Sequence, residues 1–167
     1  LLNWALTQKD ALTLKPVELD INEIIQETKQ VLERLADAKQ IEIISEVPLG
    51  LKVLSDANSL STIVRNLIDN AIKYTPEGGK ISIIAHESQA GIDLMIKDSG
   101  IGIPADRLNS IFLLQDGKST QGTAGEKGTG LGLHLVYELV QLNKGNINVV
   151  SKAGIGTTFT IQLPKAA

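Results

Sequence analysis

Residues 98 to 104 read DSGIGIP, and residues 128 to 133 read GTGLGL. Glycine at alternate positions gives a backbone that takes positive φ and meets a ligand with no Cβ in the way. Where such a turn runs into a helix, unpaired N–H groups and the positive end of the helix dipole attract anions. Each turn also has an ordinary reading. A turn-initiating aspartate commonly bonds its own backbone, and a glycine-rich loop is commonly a mobile surface segment when no ligand is present.

The flanking sequence gives the two turns a scaffold. KISIIAHES (80–88) and GIDLMIKDSG (91–100) alternate as antiparallel strands joined by a turn near Gly91, and the second delivers Asp98 to its end. After GTGLGL, the spacing of Leu131, Leu135, Val136, Leu139, Val140 and Leu142 predicts a helix. NINVVSK and TTFTIQLP then read as strands around a turn at Gly154 and Gly156. Toward the N-terminus, Asp20 and Glu23 form a capping-box pattern. Ile21, Ile24, Ile25, Thr28, Val31, Leu32 and Leu35 continue it as an amphipathic helix over about residues 20–38. IEIISEV from Ile41 and LKVLSD from Leu51 read as strands. A helix over Ala57 to Tyr74 follows, stopped by Pro76, Gly78 and Gly79. This order predicts an α+β fold: a two-layer α/β sandwich whose mixed, mainly antiparallel sheet of about five strands is covered on one face by three helices.

The chain has 167 residues, 43% hydrophobic and 21% charged, a balance suited to one domain with a real core. Only 3% of residues are aromatic, so that core has to be aliphatic. A net charge of −3 without a lysine–arginine cluster argues against a nucleic-acid surface. The absence of cysteine removes disulfides and thiolate metal sites. No apolar run approaches the roughly 18 residues of a membrane span.

On the helix NSLSTIVRNLIDNAIKY (58–74), Leu60, Ile63, Val64, Leu67, Ile68, Ala71 and Ile72 fill one broad apolar face. Asn66, Asn70 and Lys73, spaced four and three apart, stack beside it. Asparagine is a poor helix former. A solvated flank is one reading of this stripe. The other is a row of amide oxygens for a hard cation such as Mg²⁺, with Lys73 as a phosphate donor. Two familiar phosphate motifs fail. GKST (117–120) resembles the tail of a P-loop, but Phe112 stands where its first glycine is required, and Leu133 occupies the third glycine position of a dinucleotide fingerprint counted from Gly128. His86 and His134 lack partners in any metal-ligand spacing and read as structural or exposed.

Together, NLIDNAIKYTP, DSGIGIP and GEKGTGLGL closely resemble the N, G1 and G2 boxes of the ATP-binding domain of bacterial sensor histidine kinases. That domain has the Bergerat fold, shared with gyrase-type topoisomerases and mismatch-repair ATPases. Phe112 matches the F box in part, the second aromatic being absent, and GIGTTFTIQLP matches the family's last hairpin. The resemblance runs from about Pro16 to the C-terminus. It implies that Asp98 bonds the adenine amino group and that Gly100, Gly102, Ile103 and Phe112 shape or line the nucleotide pocket. By the same resemblance Asn70 holds Mg²⁺, and Asn66, Lys73 and Tyr74 line the metal and phosphates. Gly128, Thr129, Gly130, Leu131 and Gly132 hinge a flap and offer N–H groups to phosphates, and Lys118 neutralises γ-phosphate charge. Asn66, Lys73 and Lys118 are then the residues nearest the chemistry.

Hydrolytic members of this fold place a glutamate at the position of Asn66 to activate water, and an amide cannot serve as that base. The resemblance therefore implies phosphoryl transfer from ATP to a histidine on a dimerisation domain, in two-component signalling. Residues 1–15 are expected to be the end of that upstream helical hairpin and residues 16–167 the catalytic domain. The implied partners are this phosphoacceptor domain and a response regulator. The implied setting is cytoplasmic, without direct membrane or nucleic-acid contact; the fragment is expected to be a monomer and the parent a membrane-anchored homodimer. A nucleotide-sensing module without kinase activity and an anti-sigma-type serine kinase share the same boxes.

Overall fold

The computed structural model describes residues 14–113, 122–125 and 132–166. The expected helix end within residues 1 to 13 lies outside these.

Helix α1 (Ile21–Ala38) begins where the sequence placed its cap: the Asp20 carboxylate accepts from the Asn22 N–H at 2.9 Å and the Glu23 N–H at 3.4 Å. Helix α2 (Ala57–Tyr74) starts on Asp56, which accepts from the Ser59 N–H at 2.9 Å and its hydroxyl at 3.0 Å. Two further helices follow in the described residues, the single turn α3 (Ala105–Leu108) and α4 (Gly132–Leu142). The short α3 was not anticipated, because four residues carry no periodicity.

The strands are β1 (Pro16–Asp20), β2 (Glu42–Glu46), β3 (Lys52–Asp56), β4 (Lys80–Ser88), β5 (Gly91–Asp98), β6 (Asn146–Lys152) and β7 (Gly156–Leu163). Five form the main sheet, in the order β2-β4-β5-β7-β6, with β2 parallel to β4 and every other pair antiparallel. The mixed five-stranded sheet thus matches expectation. β3 leaves it and pairs instead with β1 in a separate two-stranded ribbon. β1 was not foreseen: five residues, PVELD, exposed over the first three, offer no alternating pattern to read.

The covered face of the sheet is set by the period-2 rule, which turns Ile81, Ile83, Ile92, Leu94, Ile96, Phe159 and Ile161 inward. They meet Leu60, Ile63, Leu67, Ile68 and Ile72 of α2, Ile21 and Ile25 of α1, and Val136 and Val140 of α4. Each such side chain contributes about 1.5–3 kcal/mol by burial. Val31 and Leu35, counted from sequence in the apolar face of α1, are exposed at 61% and 51%. They lie on the flank of a stripe that needs only Ile21, Ile24, Ile25, Thr28, Leu32 and Ala36 to close the core. A buried amide fastens the ribbon to α4: Asn143 Oδ1 accepts from the Asp56 N–H at 2.9 Å and the Ser55 hydroxyl at 3.2 Å, while its Nδ2 donates to Leu139 O at 2.8 Å. No helix among the described residues is long and apolar enough to cross a membrane.

Candidate functional site

β5 carries Asp98 out of the core at its last position, where the residue remains only 7% exposed. Its Oδ1 accepts from the Gly100 N–H at 2.8 Å and the Thr157 N–H at 3.3 Å. The ordinary turn-initiating role is therefore real, and it consumes one oxygen. Oδ2 takes no hydrogen bond from the described residues and is not among their fully enclosed orphan atoms, which are Ser45 Oγ and Thr75 Oγ1. It remains open to an incoming donor. Burial pushes the Asp98 carboxyl above its ordinary value, against the pull of the two backbone donors.

The turn after Asp98 has no room for side chains. A Cβ on Gly100 would stand 2.4 Å from Tyr74 O and 2.7 Å from Asp98 Oδ1. Gly102 takes φ +73°, and a Cβ there would stand 2.2 Å from Lys152 O. The turn is tied on both sides. Toward α2, the Ile101 N–H donates to Tyr74 O at 3.0 Å; toward the β6–β7 turn, the Gly154 N–H donates to Ile101 O at 2.7 Å. The Ile103 N–H donates to Ser151 Oγ at 2.7 Å, Ser151 Oγ lies 2.8 Å from Thr157 Oγ1, and the Thr157 N–H returns to Asp98. Asp98, Gly100, Gly102 and Ile103 thus form one closed ring with Ser151 and Thr157.

Thr157 was not singled out from sequence, although it could have been: it is the β7 residue in register with Asp98 on an alternating strand. Ser151 is likewise its register partner on β6.

On α2, Asn66 donates from Nδ2 to Thr62 O at 2.8 Å, which leaves its carbonyl oxygen turned away from its own helix. That oxygen faces the first residue of α4, 3.1 Å from where a Cβ on Gly132 would stand. Asn70 is half-buried and makes no hydrogen bond with a described residue. Lys73 is half-buried too, its ammonium 6.0 Å from the Tyr74 ring centroid, with no carboxylate partner among the described residues. Half-covered, and without a hydrogen-bond or carboxylate partner among the described residues, this amide and cation are placed where a polyanion with a hard cation would use both.

Phe112 is held by α4 and β7: its ring stacks on Tyr137 at 5.6 Å between centroids and meets Phe159 edge-on at 6.2 Å. Its carbonyl oxygen lies 3.0 Å from His134 Nδ1, so this histidine fastens the chain leaving α3 to the first turn of α4. His134 also has Glu138 3.8 Å away, one helical turn on, and exposed His86 has Asp93 at 3.6 Å across the β4–β5 pair. Both acidic neighbours were overlooked in sequence. No group of three His, Cys, Asp or Glu side chains among the described residues could hold a metal. Lys118, Gly128, Thr129, Gly130 and Leu131 lie outside the described residues.

Residues 55–167 match the family described as histidine kinase-, DNA gyrase B-, and HSP90-like ATPase. The chain is 35% identical over 157 residues to the adaptive-response sensory kinase SasA of Synechococcus elongatus, covering 93% of this chain and 40% of that protein. It is also 35% identical over 149 residues to the sensor-like histidine kinase SenX3 of Mycobacterium tuberculosis, covering 88% and 36%. It therefore spans about two fifths of the length of these curated relatives. Among solved structures, the nucleotide-free catalytic domain of histidine kinase ThkA superposes with a TM-score of 0.78 at 27% identity, covering 91% of this chain and 97% of that one. Full-length ShkA in complex with AMPPNP gives 0.77 at 29% identity, covering 92% and 32%.

Proposed function

The chain belongs to the histidine kinase-, DNA gyrase B-, and HSP90-like ATPase family, and on that premise we propose that it is the Mg·ATP-binding catalytic domain of a sensor histidine kinase. In this reading it transfers the γ-phosphate to a histidine carried on a dimerisation domain outside this chain, for relay to a response regulator.

The observation that carries the reading is Asp98. One carboxylate oxygen is fixed by backbone donors, the other is left open, and the turn behind it is bonded directly to the last residue of the helix bearing Asn66, Asn70 and Lys73. An amino group on a purine is the donor that Oδ2 can take. From there the base lies against Gly100 and Gly102, where no side chain intervenes, and the phosphates run along α2.

The donor set on α2 fits Mg²⁺ of a particular kind. Two amide oxygens without a carboxylate are too weak to hold the ion alone, but suffice for one arriving on a triphosphate that supplies the remaining oxygens. Once bound, the ion neutralises charge developing on the transferred phosphoryl group. The protein's own part is positioning: Asn70 and Asn66 orient the phosphate–metal unit, Lys73 pairs with phosphate oxygen, and Asn66, being an amide, offers water no base. Neither histidine of the chain suits the acceptor role. His86 lies beside Asp93 in the β4–β5 pair, and His134 is tied to Phe112 O.

The test is calorimetry with ATP in excess magnesium and again in excess chelator. Asn70→Ala is expected to lower affinity by about 5- to 30-fold with magnesium, the worth of one interaction of ~1–2 kcal/mol, and to leave the metal-free affinity unchanged. Wild-type protein that takes up no ATP under either condition defeats the proposal.

A further inference from the structure

Ser151 lies half-buried on β6, the edge strand next to β7. Its hydroxyl has three polar neighbours: the Ile103 N–H at 2.7 Å, Thr157 Oγ1 at 2.8 Å and Gly156 O at 3.1 Å. A hydroxyl carries one proton and two lone pairs. The Ile103 N–H can only donate, and Gly156 O can only accept. All three contacts are hydrogen bonds in one arrangement alone, where Ser151 gives its proton to Gly156 O and receives those of Ile103 and Thr157. The Thr157 hydroxyl is thereby committed as a donor, away from Asp98.

That commitment matters because of where Thr157 stands. It is the cross-strand partner of Asp98, and the two are buried, at 6% and 7% exposure, so their side chains share the inner face of the sheet. Its N–H already reaches Asp98 Oδ1. A hydroxyl proton beside a buried carboxylate is drawn to it, since a bond to an ionised acceptor is roughly twice as strong as one between neutral groups. Left to itself, the Thr157 hydroxyl competes for the Asp98 carboxylate. Ser151 gives it another acceptor, 2.8 Å away, and Asp98 Oδ2 takes no hydrogen bond from the described residues.

We infer that Ser151 is a positioning residue for the base: by holding the Thr157 proton it keeps Asp98 Oδ2 free for the amino group of adenine. The inference rests on the reading of the cleft as an Mg·ATP site. A serine that only fastened the Asp98–Pro104 turn through Ile103 would, when removed, weaken every nucleotide alike. A positioning serine acts instead on the choice between bases. With the Thr157 hydroxyl turned onto the carboxylate, a 6-amino purine loses its acceptor, while a 6-oxo purine meets less negative charge.

The experiment measures Mg·ATP and Mg·ITP on this chain by displacement of a fluorescent ATP analogue, ITP being the purine triphosphate with a 6-oxo group. Wild type is expected to prefer ATP. Ser151→Ala should lower the ATP-to-ITP affinity ratio by about 5- to 30-fold, and Ser151→Thr, which keeps the hydroxyl, should hold it. In a Thr157→Val background there is no hydroxyl proton to hold, so Ser151→Ala should leave the ratio where Thr157→Val alone sets it. An unchanged ratio in Ser151→Ala, a ratio lost by Ser151→Thr as well, or the same loss in the Thr157→Val background each overturn the inference. Ser151→Ala removes one atom from a half-buried edge position. Where even that variant fails to fold, Ser151→Cys repeats the measurement at nearly the same volume, with a sulfur that is a weak donor and acceptor. Wild type binding neither nucleotide overturns the cleft reading itself; wild type binding ATP, with variants that fail these comparisons, overturns only the role of Ser151.

Discussion

Asp98→Asn is expected to bind adenine nucleotide about 10- to 150-fold more weakly than wild type, equivalent to losing a charge-assisted hydrogen bond of about 1.5–3 kcal/mol. The geometry makes this substitution unusually clean. Asparagine keeps Oδ1, so the bonds from the Gly100 and Thr157 N–H groups survive. The change falls on the other atom, where Nδ2 replaces Oδ2 and presents a donor to the donor of the base.

The unliganded protein should respond in the opposite direction. Burial raises the folded-state pKa of Asp98 above the unfolded value of 3.8. The folded chain therefore holds this proton more tightly than the unfolded chain does. The stability linked to that difference is complete below about pH 3.8 and is lost as pH rises through the folded-state value. At neutral pH the ionised carboxylate is a cost the fold carries, and Asp98→Asn removes it. Denaturant titrations of apo protein at several pH values should show the variant at least as stable as wild type near pH 7, with the gap narrowing as pH falls toward 4. A variant that is both destabilised at pH 7 and unimpaired in nucleotide binding would mean that Asp98 serves only its turn.

How much of this was legible beforehand depended on whether a feature is local in the chain. The extent of α2 was readable because its apolar face runs unbroken from Leu60 to Ile72 and Pro76, Gly78 and Gly79 stop it; the Asp56 cap at its start emerges only in the structure. The five-stranded sheet was readable because β4, β5 and β7 each alternate over eight or nine residues. β1 was not, since a five-residue strand takes its identity from β3, more than thirty residues away. At the site, Asp98 and the α2 stripe each left two readings open as single segments. The fold brings the segments together, most directly through the bond from the Ile101 N–H to Tyr74 O. The role of Ser151 was the least visible of all. It depends on residues 103, 156 and 157 together, and a serine on an edge strand otherwise looks like any solvated one.

A large effect on folding is expected at Gly102, and Gly154 supplies its control. Both take positive φ, +73° and +81°, in turns bonded to each other through the Gly154 N–H and Ile101 O. An alanine at either position bears the cost of the left-handed conformation, about 1–2 kcal/mol. Around Gly154 there is nothing within 4 Å of an added Cβ, so that cost is the whole of it. At Gly102 the Cβ would stand 2.2 Å from Lys152 O and 2.9 Å from the Ala153 Cα, both of them backbone atoms that cannot rotate aside. Relief requires the Asp98–Pro104 turn and the β6–β7 turn to separate, which adds an overpacking cost of about 1–3 kcal/mol. Gly102→Ala should therefore unfold at lower denaturant than Gly154→Ala by that difference. It should also weaken nucleotide binding, because Ile103 would lose Ser151, the residue linking the turn to Thr157 and back to Asp98. Gly154→Ala should leave binding intact at equal occupancy of the folded state. If the two variants lose the same stability and bind alike, the turns part without cost, and the ring around Asp98 is not what shapes the pocket.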